Sequence, residues 1–129
     1  QEKFIFENWP AKTEIYKTLA HIGAMLFAKN YDKWLAGEVI PTDQNHDSAT
    51  FTKKIKKEDG LIDLTATSDQ EKWLKYIAYK PWPGIYFMQN EKRVKINEAS
   101  WQDDKFIISK VTPESSKEML YEDYLRGLK

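Results

Sequence analysis

The chain has 129 residues, of which 20 are Lys or Arg, 20 are Asp or Glu, two are His and none is Cys. Disulfides and thiolate metal sites are therefore excluded, and two isolated histidines do not suit a histidine metal site. A formal net charge of zero gives no global field that attracts nucleic acid, so only a local cluster of cations could do so. The longest apolar run, residues 22–28, is too short to cross a membrane, and we expect a cytoplasmic protein.

The first third of the sequence predicts a strand followed by a long helix. KFIFEN at 3–8 is rich in strand-favouring residues and stops before Pro10. A helix over 13–37 is predicted by apolar residues at spacings of three and four, with Gly23 admitting a close neighbour. These apolar residues are Ile15, Leu19, Ile22 and Leu26. Because the chain starts without methionine, we expect a piece of a longer protein.

A polar linker over 38–48 precedes a predicted strand-rich domain over 49–129. Alternating apolar and polar residues and turn signals predict strands at 50–55, 61–64, 85–89, 93–99 and 105–111. Helical patterns predict two short helices, at 68–79 and 118–127. The first of these helices would place Trp73, Leu74 and Ile77 on its inner face.

YKPWPGIYF at 79–87 predicts a rigid elbow between a helix and a strand. Pro81 and Pro83 each fix a backbone φ angle, and Gly84 permits a tight turn. Trp82 is expected to be buried beneath the prolines as an anchor. The elbow is therefore interpreted as architecture rather than as a platform on which bases stack.

The sequence offers little for catalysis. Asn45, His46 and Asp47 could in principle polarise a carbonyl and move protons. Adjacent residues of a polar linker point in different directions, however, so a solvated turn is the better interpretation. No Gly-rich phosphate loop, nucleophile elbow or pair of metal-spaced carboxylates occurs. We therefore predict no catalytic residue and no metal ligand.

Lysines are concentrated just after the linker. If residues 50–55 form a strand, alternation separates Lys54 and Lys56 from Lys53 and Lys57, although long lysine stems can still bring the charges to one rim. With further cations they would form a basic stripe that contacts phosphates. The candidate residues are Lys53, Lys54, Lys56, Lys57, Lys80, Arg93, Lys95 and Arg126. The alternative is an edge strand whose lysines only keep it soluble.

Four segments together resemble the C-terminal part of methionyl-tRNA formyltransferases. The family pattern Ala-Thr-Tyr, Lys-Ile and Lys-Glu-Asp-Gly-x-Ile-Asp-Trp is similar to ATF, KI and KEDGLID within 49–63. The family's Phe-Asn-Pro-Trp-Pro-Gly-Ala-Tyr elbow is similar to YKPWPGIY at 79–86. PE at 113–114 and EDYLRG at 122–127 resemble its closing helix, and residues 19–44 resemble the end of its catalytic domain and its linker. The resemblance spans nearly the whole chain.

Three departures bear on the fold. Leu64 stands where the family usually has tryptophan, and Lys80 where it usually has asparagine. The segment between Ile96 and Val111 is shorter than in longer family members, so a hairpin is absent. The resemblance thus implies an α+β fold built on a small oligonucleotide-binding-like β-barrel that is reduced or partly open. A long helix left from a Rossmann-like domain would precede it.

The resemblance implies the following function. Residues 1–37 would be the last strand and helix of the catalytic domain, 38–48 the linker, and 49–129 the tRNA-binding domain. The parent enzyme would transfer a formyl group from 10-formyltetrahydrofolate to methionine on initiator tRNA in translation initiation. This fragment would position the tRNA through the eight cations, would lack the catalytic site and bound cofactor, and would be inactive alone. Its partners would be initiator methionyl-tRNA and the missing N-terminal domain.

Two alternatives remain open on the sequence. Sugar-nucleotide N-formyltransferases and formyltetrahydrofolate hydrolase-type proteins carry similar C-terminal modules. The small domain could also be a purely structural or oligomerisation module with solubilising lysines.

Overall fold

The computed structural model describes residues 1–8 and 10–128. The chain divides into two compact units, 1–54 and 55–129. The first unit is built on one long helix, and the second on a sheet with two helices. The predicted α+β class is therefore confirmed, and the strands form an open four-stranded antiparallel sheet.

The predicted long helix of the first unit is present as α1, Lys12–Leu35. No residue of α1 is buried, and no heavy atom lies within 4 Å of a Cβ built on Gly23, so the expected close neighbour is absent. The predicted strand at 3–8 is wrong, because this segment has neither helix nor strand structure. A strand requires a hydrogen-bonding partner, and none of the described residues pairs with it.

The second unit is an antiparallel meander in the order β1-β2-β3-β4. Its strands are β1 (Ile85–Gln89), β2 (Lys92–Gln102), β3 (Lys105–Pro113) and β4 (Met119–Leu120). Two-residue turns, Asn90-Glu91 and Asp103-Asp104, have positive φ angles and join the first three strands. Such turns match the twist of the flanking strands and fix their register. β2 and β3 extend beyond their predicted ends, and β2 has irregular pairing between Ile96 and Ala99.

Two helices accompany the sheet, as predicted. The first, α2 (Asp69–Tyr79), begins with a capping box in which Ser68 accepts from the Glu71 amide and Glu71 accepts from the Ser68 amide. The second, α3 (Tyr121–Arg126), is shorter than the predicted helix at 118–127. The difference arises because residues 119–120 pair with β3 instead of starting the helix.

The two strands predicted between the linker and α2 are wrong. Residues 50–56 are irregular, and a 3-10 helix spans Lys57–Gly60. Only Leu61 makes a strand-like contact, a single parallel bridge to Tyr86 supported by the Ile62 amide, which donates to the Tyr86 carbonyl at 2.9 Å. Alternation in sequence suits a strand, but a ladder also needs a continuous edge to pair with.

The hydrophobic core lies on one face of the sheet. Alternate residues of β1 and β2 are buried there, and the helices supply further apolar groups. The buried residues are Ile62, Tyr76, Ile85, Phe87, Val94, Ile96, Phe106 and Val111. The predicted inner face of α2 omitted Tyr76, which is its most buried aromatic residue and contacts the Phe106 ring edge-on.

The elbow has the rigid geometry that the sequence predicts, but a different anchor. The peptide bonds before Pro81 and Pro83 are both cis, and Gly84 has a φ of +76°. Pro83 is buried, whereas Trp82 is 52% exposed, so the expectation of a buried Trp82 is wrong. The backbone of Gly60 packs closely against the Gly84 carbonyl and so supports the elbow.

Asp63 holds the turn that leads into α2. Its carboxylate accepts hydrogen bonds from the Thr65 hydroxyl at 2.6 Å, the Thr65 amide at 2.8 Å and the Ala66 amide at 3.0 Å. These donors, led by the hydroxyl, lower the pKa of Asp63 from 3.8 to about 2. Because the folded-state pKa is depressed, the resulting stabilisation is complete above pH 4 and is lost as the pH falls towards 2.

We expect Asp63→Asn to flatten this part of the pH profile, since asparagine keeps an acceptor oxygen but does not titrate. Urea unfolding from pH 5 to pH 2 should show the largest stability difference from the unchanged protein above pH 4. That difference should shrink towards pH 2. A difference independent of pH would contradict the assigned role.

Candidate nucleic-acid interface

The exposed face of the β1–β2 hairpin carries two of the predicted cations. Val94 is 1% exposed on the core side of β2, so Arg93 and Lys95 lie on the opposite face. On β1 the same alternation places Tyr86 and Met88 on this outer face. We call this surface, formed by Tyr86, Met88, Arg93 and Lys95, the outer face.

Arg93 is held in a defined orientation on the outer face. Its guanidinium carbon lies 4.0 Å from the centroid of the Tyr86 ring. Its backbone is fixed by Glu114, whose carboxylate accepts from the Arg93 amide at 3.1 Å and whose amide donates to the Arg93 carbonyl at 2.8 Å. A planar guanidinium stacked on a ring keeps its edge donors available to an anion.

The 3-10 helix brings further lysines to this surface. Lys56 and Lys57 are exposed at its start, and the Lys56 amide donates to the Asp59 carboxylate at 2.7 Å. At its end, a Cβ built on Gly60 would lie 3.6 Å from the edge of the Tyr86 ring. The turn that carries these lysines therefore packs against the tyrosine on which Arg93 stacks.

Lys95 and Lys80 are placed by the elbow and its helix. The Lys95 side chain passes beside Gly84, since a Cβ there would lie 3.5 Å from Lys95 Cε. The Lys80 ammonium donates to the Tyr76 hydroxyl at 3.0 Å and lies 5.1 Å from the centre of that ring. The same hydroxyl accepts from the Ala99 amide at 3.3 Å. Lys80 is thus tied to α2 and β2.

The remaining candidates lie in other parts of the chain. Lys53 and Lys54 belong to the first unit and are exposed in an irregular segment. Arg126 lies on α3 and forms ion pairs with Asp123 at 3.0 Å and Glu122 at 3.7 Å. The tyrosines of α3 pack against Phe87 on the core side of the sheet. Arg93 and Lys95 therefore share the outer face, Lys56 and Lys57 begin the turn whose other end packs against Tyr86, and Arg126 lies apart on α3.

Three other lysines of the second unit are matched by acids. Asp69 accepts from Lys72 at 3.2 Å and lies 3.5 Å from Lys105, and the hydrogen bond from Lys72 lowers the pKa of Asp69. Glu98 accepts from Lys110 at 2.8 Å, which raises the pKa of Lys110. These pairs contrast with the outer face, where no ion pair is found among the described residues.

Sequence reasoning missed two residues beside this surface. Tyr86 was treated only as part of the elbow, although alternation along 85–89 and a two-residue turn would have placed it opposite Lys95. Lys75 donates from its ammonium to the Leu61 carbonyl at 3.0 Å and so supports the chain next to Tyr86. No local sequence signal identifies that contact, because it joins residues of two separate elements.

The linker residues considered for catalysis form a local cap. Asn45 accepts from the Asp47 amide at 3.1 Å and donates to Ser48 at 3.1 Å, and all four residues at 44–47 are exposed. Within residues 1–8 and 10–128, no group of three or more acidic or histidine side chains is arranged to hold a metal ion. In the same part of the chain, none of the helices has the length and apolarity needed to cross a membrane.

Residues 54–107 match the family model described as formyl transferase, C-terminal domain. This segment of the chain is similar to the C-terminal domain of formyl transferases. The matched residues include the 3-10 helix, α2, the elbow and the β1–β2 hairpin, and hence Lys56, Lys57, Arg93 and Lys95. The resemblance to methionyl-tRNA formyltransferases inferred from the sequence is confirmed by curated relatives of that name.

The similarity to these relatives covers more of the chain than the match to the family model does. The chain is 29% identical to methionyl-tRNA formyltransferase of Rickettsia bellii, with 90% of this chain and 44% of the relative covered. It is 28% identical to that of Rickettsia felis, with 98% and 48% covered. It is 41% identical to that of Campylobacter jejuni subsp. jejuni, with 60% and 24% covered. The chain thus spans less than half the length of these relatives.

Proposed function

We propose that this chain is the C-terminal part of a methionyl-tRNA formyltransferase that holds initiator tRNA while the formyl group is transferred elsewhere in the parent. In this proposal residues 1–37 are the end of a Rossmann-like catalytic domain, 38–48 are a linker, and 49–129 are the tRNA-binding domain. The parent acts in translation initiation in the cytoplasm. The open sheet corresponds to a reduced oligonucleotide-binding-like barrel.

The observation that carries the proposal is the clustering of cations within the formyl transferase C-terminal domain. Lys56 and Lys57 start a turn that packs on Tyr86, and Arg93 and Lys95 share the outer face with that ring. Elsewhere in the same unit, Lys72, Lys105 and Lys110 are paired with acids. Cations that form no ion pair among the described residues suit the phosphates of a folded RNA, which supply affinity and orientation.

The chemical contribution of such contacts is positioning. Holding a large substrate in a fixed orientation converts a chance encounter into a productive one without any catalytic group at the contact. For the parent we propose 10-formyltetrahydrofolate as the formyl donor, and we assign no residue of this chain to it. We expect the chain alone to bind tRNA without transferring a formyl group. Lys53, Lys54, Lys80 and Arg126 remain predicted contacts of lower rank.

Charge reversal tests the proposal. Lys56→Glu/Lys57→Glu should weaken binding of an initiator tRNA transcript and reduce the slope of log affinity against log salt by about 2, one for each lost phosphate contact. Fluorescence anisotropy across a NaCl series measures both quantities. A duplex DNA of similar length reports purely electrostatic binding.

A matched control separates local contacts from net charge. Lys17→Glu/Lys29→Glu makes the same charge change on exposed positions of α1. We expect this control to alter tRNA affinity much less than the pair at 56–57. Equal losses for the two double variants, or no tRNA binding by the unchanged chain even at low salt, would count against the proposal.

A further inference from the structure

The contact between Tyr86 and Arg93 has the geometry of a guanidinium prepared for an anion. The guanidinium carbon is 4.0 Å from the ring centroid, which is the separation of a stacked pair. Stacking occupies one flat side of the guanidinium and leaves the N–H groups at its edge. Those donors form the fork that matches two oxygens of a phosphate or carboxylate.

Contacts with neighbouring residues hold both Tyr86 and Arg93 in place. The Tyr86 ring lies beside Gly60, and the Tyr86 backbone carbonyl accepts a hydrogen bond from the Ile62 amide at 2.9 Å. The Arg93 backbone is bound on both sides by Glu114. A guanidinium held by a rigid ring and a rigid strand loses less conformational entropy on binding than a free side chain.

The charge of Arg93 is not matched by an acid within the described residues. Among residues 1–8 and 10–128, no carboxylate lies within 4.0 Å of its guanidinium, and Glu114 is directed to the Arg93 amide instead. Lys95 lies two residues along the same strand, about 7 Å away. Two cations at this spacing are close to the separation of successive phosphates along one strand of a polynucleotide.

We infer that Tyr86 is a positioning residue that holds Arg93 for bidentate contact with an RNA phosphodiester, with Lys95 contacting a neighbouring phosphate. This inference rests on the proposed function and assigns a role to a ring that carries no charge. It also accounts for the half-buried position of Tyr86 on a face that carries Arg93 and Lys95. The ring contributes orientation, and the arginine contributes the contact.

Four substitutions separate orientation from charge when binding of an initiator tRNA transcript is measured across a NaCl series. Arg93→Gln should weaken binding about tenfold and lower the salt slope by about 1. Arg93→Lys keeps the charge but loses the fork, so affinity should fall with the slope unchanged. Tyr86→Leu should resemble Arg93→Lys, weakening binding about three- to tenfold without changing the slope. Tyr86→Phe keeps the ring and should bind as the unchanged chain does.

A double-mutant cycle completes the test. Tyr86→Leu/Arg93→Lys should bind no more weakly than either single variant, because each removes the same oriented fork. Tyr86→Val, which also suits a strand, replaces Tyr86→Leu if the latter does not fold. Additive losses, or unchanged affinity in Tyr86→Leu or Tyr86→Val, would overturn the inference. Absence of tRNA binding by the unchanged chain would instead overturn the proposed function together with it.

Discussion

Phe87→Ala is expected to destabilise the second unit by about 3–5 kcal/mol, the range for removing a buried aromatic ring. Phe87 is 3% exposed in the middle of β1. Its ring contacts Tyr121 and Tyr124 edge-on, with centroids 6.4 Å apart in each pair. Removing it would both open a cavity and undo the attachment of α3 to the sheet.

The neighbouring residue provides the control for this prediction. Met88 is 49% exposed and lies on the outer face, so Met88→Ala should change the free energy of unfolding by about 0.5 kcal/mol or less. Urea unfolding monitored by tryptophan fluorescence compares the two variants, because Trp73 and Trp101 pack against the core of this unit. Similar losses at 87 and 88 would mean that β1 does not have the register described here.

Gly60→Ala is expected to have the second largest effect on stability, about 1–3 kcal/mol. An added Cβ would collide with the Gly84 carbonyl oxygen, which is backbone and cannot rotate away. Relief requires the turn at 57–60 to separate from the elbow. Since that turn carries Lys56 and Lys57, we also expect weaker tRNA binding in a variant that retains all of its cations.

Gly127→Ala is the matched control in the same unit. Its added Cβ would meet only ordinary contacts, the nearest being the Tyr124 carbonyl oxygen at 3.5 Å, and its φ of −74° suits alanine. Replacing a glycine whose backbone suits alanine stabilises by about 0.4–1 kcal/mol through the unfolded chain. Thermal melting that ranks the two variants in the opposite order would contradict the close contact at Gly60.

Local sequence signals predicted the elements that need few distant partners. β1 occupies the predicted residues 85–89, and α2 begins one residue after the predicted start. The helical spacing of apolar residues likewise predicted α1 to within two residues at each end. In these segments periodicity, caps and turn residues agree with the final structure.

Strands whose pairing depends on distant residues were predicted less well. Residues 3–8 and 50–55 have strand-like alternation but remain irregular. β2 continues to Gln102, beyond its predicted end at residue 99, because the ladder with β3 persists after a shift in register at Glu98. Such outcomes are set by which edges are available, and a single segment of sequence does not contain that information.

The candidate site also contains residues that the sequence predicted and a residue that it did not. Composition and position along the chain predicted Lys56, Lys57, Arg93 and Lys95 as candidates. Arg93 and Lys95 lie beside Tyr86, and the two lysines begin the turn that packs against its ring. The tyrosine was missed because it carries no charge. Arg126 had the same status in the sequence as Arg93, but its partners on α3 were recognisable only as helical neighbours three and four residues away.

In the β1–β2 hairpin, the register that buries the apolar residues of β2 also decides which charged residues face outward. A slip of one residue in β2 would turn Arg93 and Lys95 inward and bring Val94 and Ile96 out to water. The turn at 90–91 excludes that slip, because its two positive φ angles permit only one pairing of the strands. Substitutions in that turn, which carries none of the candidate cations, would therefore change which face of the hairpin an RNA meets.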